Sequence, residues 1–206
     1  IDVVNRYFKE PLERADVVHA FSGVRPLYDD NAENPSAVTR DYIFELDAEN
    51  GAAPLLSVFG GKITTFRKLA EHALIKLRPF FPDMGRDWTA SGHLPGGDFA
   101  DADFARFLTA IKNEYPFLGA NTAHHYCRLY GTRTRQLLAG VSSSTGLGQK
   151  FGRDFYECEA RYLVAHEWAL DVDDILDRRT KHGLHMSGPE RQVFVTWFSN
   201  AWPKAG

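Results

Sequence analysis

Residues 78–97 hold Pro79, Pro82, Gly85, Gly92, Pro95, Gly96 and Gly97, a run of chain-breaking residues that constrains this sequence more than any other feature. Proline cannot donate to a helix or a strand ladder, and glycine is disfavoured inside both, so no regular element is expected to cross the stretch. The patterning on its two sides differs. The expected organisation is one domain over 1–82, a linker over 83–97 and a second domain over 98–206.

The first part mixes helix and strand patterns. Val4, Tyr7, Phe8 and Leu12 have helix-compatible spacing, with Pro11 as the stop. Val17 to Val24 (VVHAFSGV) is β-branched and aromatic, and reads as a strand that includes His19. RDYIFELD alternates Tyr42, Phe44 and Leu46 against Asp41, Ile43 and Glu45, the period of a half-buried strand. Asn50-Gly51 marks a turn, and PLLSVFG follows as a nearly continuous apolar strand, so the two predict a hairpin with a longer loop. A helix then carries Phe66, Leu69, Ala73 and Leu77 on one stripe and ends before Pro79.

The second part reads as helical throughout. Phe104, Phe107, Leu108, Ile111 and Tyr115 share a face that ends at Pro116. NTAHHYCRLYG predicts a helix capped by Asn121 and closed by Gly131, and TRTRQLLAG a short one closed by Gly140. DFYECEARYLVAHEWAL offers Phe155, Tyr162 and Trp168 to a core. DVDDILDRRTKHG starts acidic and ends basic, matching the helix dipole. Ser187 and Glu190 stand at capping-box spacing with Pro189 in the first turn. Five or six helices are expected.

With 44% hydrophobic residues among 206, the chain can bury a sizeable core. A net charge of −3 gives no basic field for nucleic acid. Cys127 and Cys158 form no CxxC and read as buried thiols of a reducing compartment. No apolar run approaches the ~20 residues of a membrane span, and the start at Ile1 reads as a piece of a longer protein.

Chemistry concentrates at GGKIT. A P-loop is excluded because Leu56 stands five before Gly61 and Ile63 follows Lys62. Two glycines let the backbone approach a ligand closely, and the helix that follows begins with free amides and a partial positive charge. With Lys62 these make an anion site; the alternative is a tight strand–helix turn bearing a surface lysine. Arg25 and Arg40 lie near strand ends and, with Lys62, form a trio of cations able to converge on one anion. Gly146, Gly148 and Gly152 are one residue too widely spaced for a dinucleotide fingerprint and read as a loop. His124 and His125 are adjacent on a helix, and His182 and His185 straddle Gly183, so no metal site is expected.

FSGVRPLYDD, TRDYIFELDAENGAAPLLSVFGGKITTFRKLAEHAL, LPGG, RLYG, FYECEARYLVAHEWA and DDILDRRTKHGL, in this order, resemble the carboxy-terminal part of the FAD-dependent, quinone-reducing glycerol-3-phosphate dehydrogenases. The resemblance runs from about Val17 to the end; Thr39 stands where that family normally has serine. It implies an α+β fold: a strand-containing remnant of an FAD and substrate domain, followed by an all-α domain. It implies that Gly60, Gly61, Lys62, Ile63 and Thr64 lie under the flavin, the helix amides facing the ring edge that becomes negative on reduction. Arg40 and Lys62 match positions that contact the substrate phosphate, and Arg25 a catalytic position beside the substrate hydroxyl.

The implied reaction moves a hydride from C2 of glycerol 3-phosphate to FAD, with electrons passing to ubiquinone at the cytoplasmic face of the inner membrane. The family's GxGxxG pyrophosphate loop is not within these 206 residues. The piece alone is therefore expected neither to hold FAD tightly nor to turn over substrate. The helical domain is expected to cap the core, mediate a homodimer or contact membrane or quinone, with Trp197, Phe198 and Trp202 as candidate aromatics. Two other readings stay open: a related flavin amine or 2-hydroxy-acid oxidase, and a non-catalytic helical interaction module.

Overall fold

A computed structural model of the chain describes residues 1–24, 28 and 41–203. They divide into two compact units, one of residues 20–92 and one of residues 1–19 with 93–206. The chain is mostly helical, with one two-stranded sheet among the described residues.

The smaller unit is built on the hairpin. Strands β1 (Ile43–Asp47) and β2 (Leu55–Phe59) pair antiparallel, Ile43 opposite Phe59 and Asp47 opposite Leu55. Residues 48–54 link them through a 3₁₀ turn at Glu49–Gly51, as expected of a loop longer than two residues. Helix α1 (Phe66–Leu77) follows a 3₁₀ turn at Ile63–Thr65. Its stripe is only half-buried, and Phe66 is exposed. Its one buried residue is Glu71, whose carboxylate takes Arg67 at 2.8 Å, Lys68 at 2.9 Å and the Thr89 hydroxyl. The Thr89 hydrogen bond, then that of Lys68, hold this carboxyl down to about 2.

In the larger unit α2 (Phe104–Glu114) and α3 (Ala120–Tyr130) pack together, followed by α4 (Thr134–Leu137), α5 (Glu157–His166) and α6 (Gly188–Ala201). Asp103 caps α2 through the Arg106 amide at 3.0 Å, and the Ser187–Glu190 capping box opens α6. Phe107, Ile111, Tyr126, Phe155, Leu163, Ile175 and Phe194 form the core, each worth roughly 1.5–3 kcal/mol when fully buried. Phe198 is buried against Trp202, and Trp197 and Trp202 are half-buried under Arg161. The LPGG and RLYG motifs meet here. Gly96 and Gly131 have φ of 87° and 55°, and the Gly96 carbonyl accepts the Thr132 amide at 3.0 Å.

Several expectations are corrected. Residues Val3 to Leu12 form only a 3₁₀ turn at Val4–Arg6, because the Asn5 side chain takes both the amide and the carbonyl of Leu12. Val17 to Val24 joins no strand, and His19 is therefore not in one; a strand exists only within a ladder, and no sheet in the described residues extends to this segment. The N-cap of α3 is Gly119, with Asn121 inside the first turn. Trp168 is 85% exposed, because α5 ends at His166 and Arg179 binds the carbonyls of Glu167 (2.6 Å) and Trp168 (2.9 Å), turning the chain outward. The DDILDRR segment forms a π-helical turn, Asp174–Arg179, since the Thr180 amide and hydroxyl both reach the Ile175 carbonyl. Cys127 is buried and Cys158 half-buried; both are free thiols. Gly146 and Gly148 lie in or beside the 3₁₀ turn Ser144–Leu147, with no strand before them.

Candidate functional site

The Gly-Gly-Lys turn joins β2 to α1. Gly60 and Gly61 have φ of 69° and 98°, which side-chain-bearing residues rarely adopt. A Cβ on Gly61 would lie 3.2 Å from Leu69 Cδ1 and 3.5 Å from Tyr42 Cβ, so the turn is packed from its inner side. Tyr42 is fixed in turn by a 2.5 Å hydrogen bond between its hydroxyl and His72 Nδ1. Lys62 caps the 3₁₀ turn in extended conformation, and Thr65 closes it by donating its amide and hydroxyl to the Lys62 carbonyl, each at 3.0 Å.

No side chain caps the start of the 3₁₀ turn or of α1. Ile63 and Thr64 are exposed, as is the Lys62 ammonium, which stands 3.4 Å from the Asp41 carboxylate. An ion pair this open contributes little and leaves the ammonium available to a second anion. The turn thus presents backbone amides and one cation on a surface shaped by two glycines. Gly60, Gly61, Lys62, Ile63 and Thr64 are together; Arg25 and Arg40 lie outside the described residues.

The larger unit holds a polar cluster that sequence reasoning missed. Glu159 on α5 is fully buried. His125 Nε2 on α3 lies 2.8 Å from Glu159 Oε1, His182 Nε2 lies 3.2 Å from Oε2, and the Tyr130 hydroxyl donates to Oε1 at 2.7 Å. Burial pushes the Glu159 carboxyl up, but the bonds from His125 and His182 outweigh it and hold it at about 2. Burial pulls His125 down, but the Glu159 bond and charge leave it raised. The signal was a glutamate on the apolar face of α5, in step with Phe155, Tyr162 and Leu163.

A family profile described as the C-terminal domain of alpha-glycerophosphate oxidase matches residues 88–191. The chain belongs to that family. It is 58% identical to D-erythritol 1-phosphate dehydrogenase of Brucella abortus over 98% of its length. It is 46% identical to aerobic glycerol-3-phosphate dehydrogenase of Escherichia coli over 96%, and 50% identical to glycerol-3-phosphate dehydrogenase of Pseudomonas aeruginosa over 94%. It spans only 40%, 39% and 37% of those relatives' own lengths. The matched span runs from before α2 into the first turn of α6, so RLYG, FYECEARYLVAHEWA and DDILDRRTK all lie within it.

Proposed function

We propose that the chain is part of a longer flavin-dependent dehydrogenase that oxidises a small polyol phosphate, glycerol 3-phosphate, at the carbinol carbon next to the phosphorylated one, yielding dihydroxyacetone phosphate. The supporting observation is identity of 46–58% over nearly the whole chain to dehydrogenases of two such phosphates. What supports a flavin at the turn is its two positive-φ glycines, which let a ligand approach the backbone, and the helix-start amides that no side chain caps. FAD, when bound, supplies the hydride acceptor. Gly60, Gly61, Ile63 and Thr64 would hold its ring edge through backbone groups, and the amides at the start of the helix favour negative charge there.

Lys62 and Arg40 bind the substrate phosphate, Lys62 as a point charge and Arg40 as a fork. Arg25 orients the hydroxyl that loses its proton. In this reading the hairpin and α1 end the FAD and substrate domain, the helical unit is a separate C-terminal domain, and the pyrophosphate-binding loop lies elsewhere in the longer protein. Electrons pass on to a membrane quinone, with the enzyme peripheral on the cytoplasmic side of the inner membrane; among the described residues no helix is long and apolar enough to cross one. The helical unit is the candidate surface for a homodimer.

A second substrate, D-erythritol 1-phosphate, is favoured by the 58% identity to the Brucella enzyme. Both substrates carry the phosphomonoester that the cations recognise. In the complete enzyme, Arg40→Ala should lower kcat/KM for the phosphorylated substrate by about 30-fold or more, the worth of a charge-assisted hydrogen-bond pair. Lys62→Ala should act in the same direction, mainly through KM. An unchanged kcat/KM in both variants means that the phosphate is held elsewhere.

A further inference from the structure

We propose that His125, Glu159 and His182 form a binding site for one divalent first-row transition-metal ion, zinc being the probe. The two histidine nitrogens and a carboxylate oxygen all lie within 4.8 Å of one another. Each imidazole turns the same atom, Nε2, toward a different oxygen of one carboxylate, at 2.8 and 3.2 Å. Ligands about 2.0–2.2 Å from a common ion stand about 3–3.6 Å apart, so the two nitrogen–oxygen pairs already have ligand spacing while the widest pair, within 4.8 Å, has to draw in on binding. The ring centroids, 4.8 Å apart, match two imidazoles sharing one ion.

Two imidazoles and a carboxylate suit zinc and its first-row neighbours, and leave positions open for water. The ligands are held from outside. Tyr130 donates to Glu159 Oε1, and Phe155 stacks on the His182 ring at a centroid distance of 4.5 Å. Entry is from an open pocket of about 410 Å³, lined by His125, His182, Asp154 and His185 and also by two cations, Arg128 and Arg153. Glu159 is not part of that lining; it is closed to solvent and is bonded by the two histidines that are. Binding frees both Nε2 atoms for the ion: a neutral ring protonated on Nε2 shifts that proton to Nδ1 through water, a protonated ring keeps its Nδ1 proton and releases the Nε2 proton to water, and nothing is oxidised or reduced. The ion would tie α3 and α5 to the 3₁₀ turn His182–Leu184.

The test uses the whole chain, stripped with a chelator and titrated with zinc at neutral pH against a chromophoric competitor. One zinc per chain and a raised Tm are expected. Cobalt in its place should give visible d–d absorption. His182→Gln, which keeps a donor for Glu159 but removes the imidazole, should weaken zinc binding by about tenfold or more, while His72→Ala in the other unit should not. Sub-stoichiometric zinc, or a folded His182→Gln chain that binds unchanged, overturns the proposal. Should that variant fail to fold, nitrogen NMR of the wild-type chain decides: zinc must shift two histidine Nε2 resonances, and a spectrum unmoved by zinc rejects the site.

Discussion

Glu71 and Glu159 are both acidic residues that the fold buries, and both are stabilised by donors rather than by exposure. Their neighbours explain why sequence did not announce them. Arg67 and Lys68 are local to Glu71, but Thr89 lies 18 positions away; His125 and His182 lie 34 and 23 positions from Glu159. Periodicity sees a face, and it does not see which distant donors fill it. The glycine turn was legible for the opposite reason: its chemistry is written in consecutive residues, Gly60 to Thr64. For Glu71 the folded carboxyl sits at about 2 against an ordinary 4.5, so its contribution is full above 4.5 and is lost as pH falls toward 2. The stability gap between the wild-type chain and Glu71→Gln should hold from pH 7 to about pH 4.5 and close below it in a melting series. A gap that persists undiminished at pH 2 would show that the ion-pair and Thr89 network is not its source.

At the scale of elements, hairpin and helices followed from pattern, because the apolar stripe of α2 and the capping box of α6 are local; the alternating burial expected of β1 is not seen, Ile43 and Phe44 both being half-buried and Leu46 exposed. Where side chains intercept backbone groups, pattern failed. Asn5 replaces a helix with a pinned loop, Thr180 replaces an α-helix with a π-helical turn, and Arg179 holds the carbonyl of Glu167 just past the end of α5. The segment from Val17 to Val24 has strand composition without a sheet to join, since β propensity measures fit to a neighbouring strand. LPGG and RLYG carried no predicted role, yet they form one contact. A Cβ on Gly131 would stand 1.9 Å from the Gly96 carbonyl oxygen, at a φ of 55°. Gly131→Ala should therefore destabilise the helical unit by about 3 kcal/mol, combining backbone strain with overpacking. Gly140→Ala, at φ 79° with open space around it, should lose only the backbone part of about 1 kcal/mol. Equal losses in urea unfolding of the two variants would remove the Gly96–Gly131 contact as the reason for these motifs.

For the whole molecule, the hairpin unit exposes Leu55, Val58, Ile63 and Phe66, whereas the helical unit has a continuous aromatic and aliphatic core. The chain spans about two fifths of the length of these relatives. Mostly helical content and the family were legible from motifs spread along the sequence, whereas the convergence of side chains far apart in it depends on the fold and not on local pattern. The central claim is that this turn serves hydride removal from a polyol phosphate. It is tested most directly by adding substrate anaerobically to the complete, flavin-loaded enzyme and following the yellow absorbance. The account predicts stoichiometric bleaching by glycerol 3-phosphate or D-erythritol 1-phosphate and none by the unphosphorylated polyols. Flavin that stays yellow with both phosphates, or that bleaches with an amino acid or a 2-hydroxy acid instead, would contradict it.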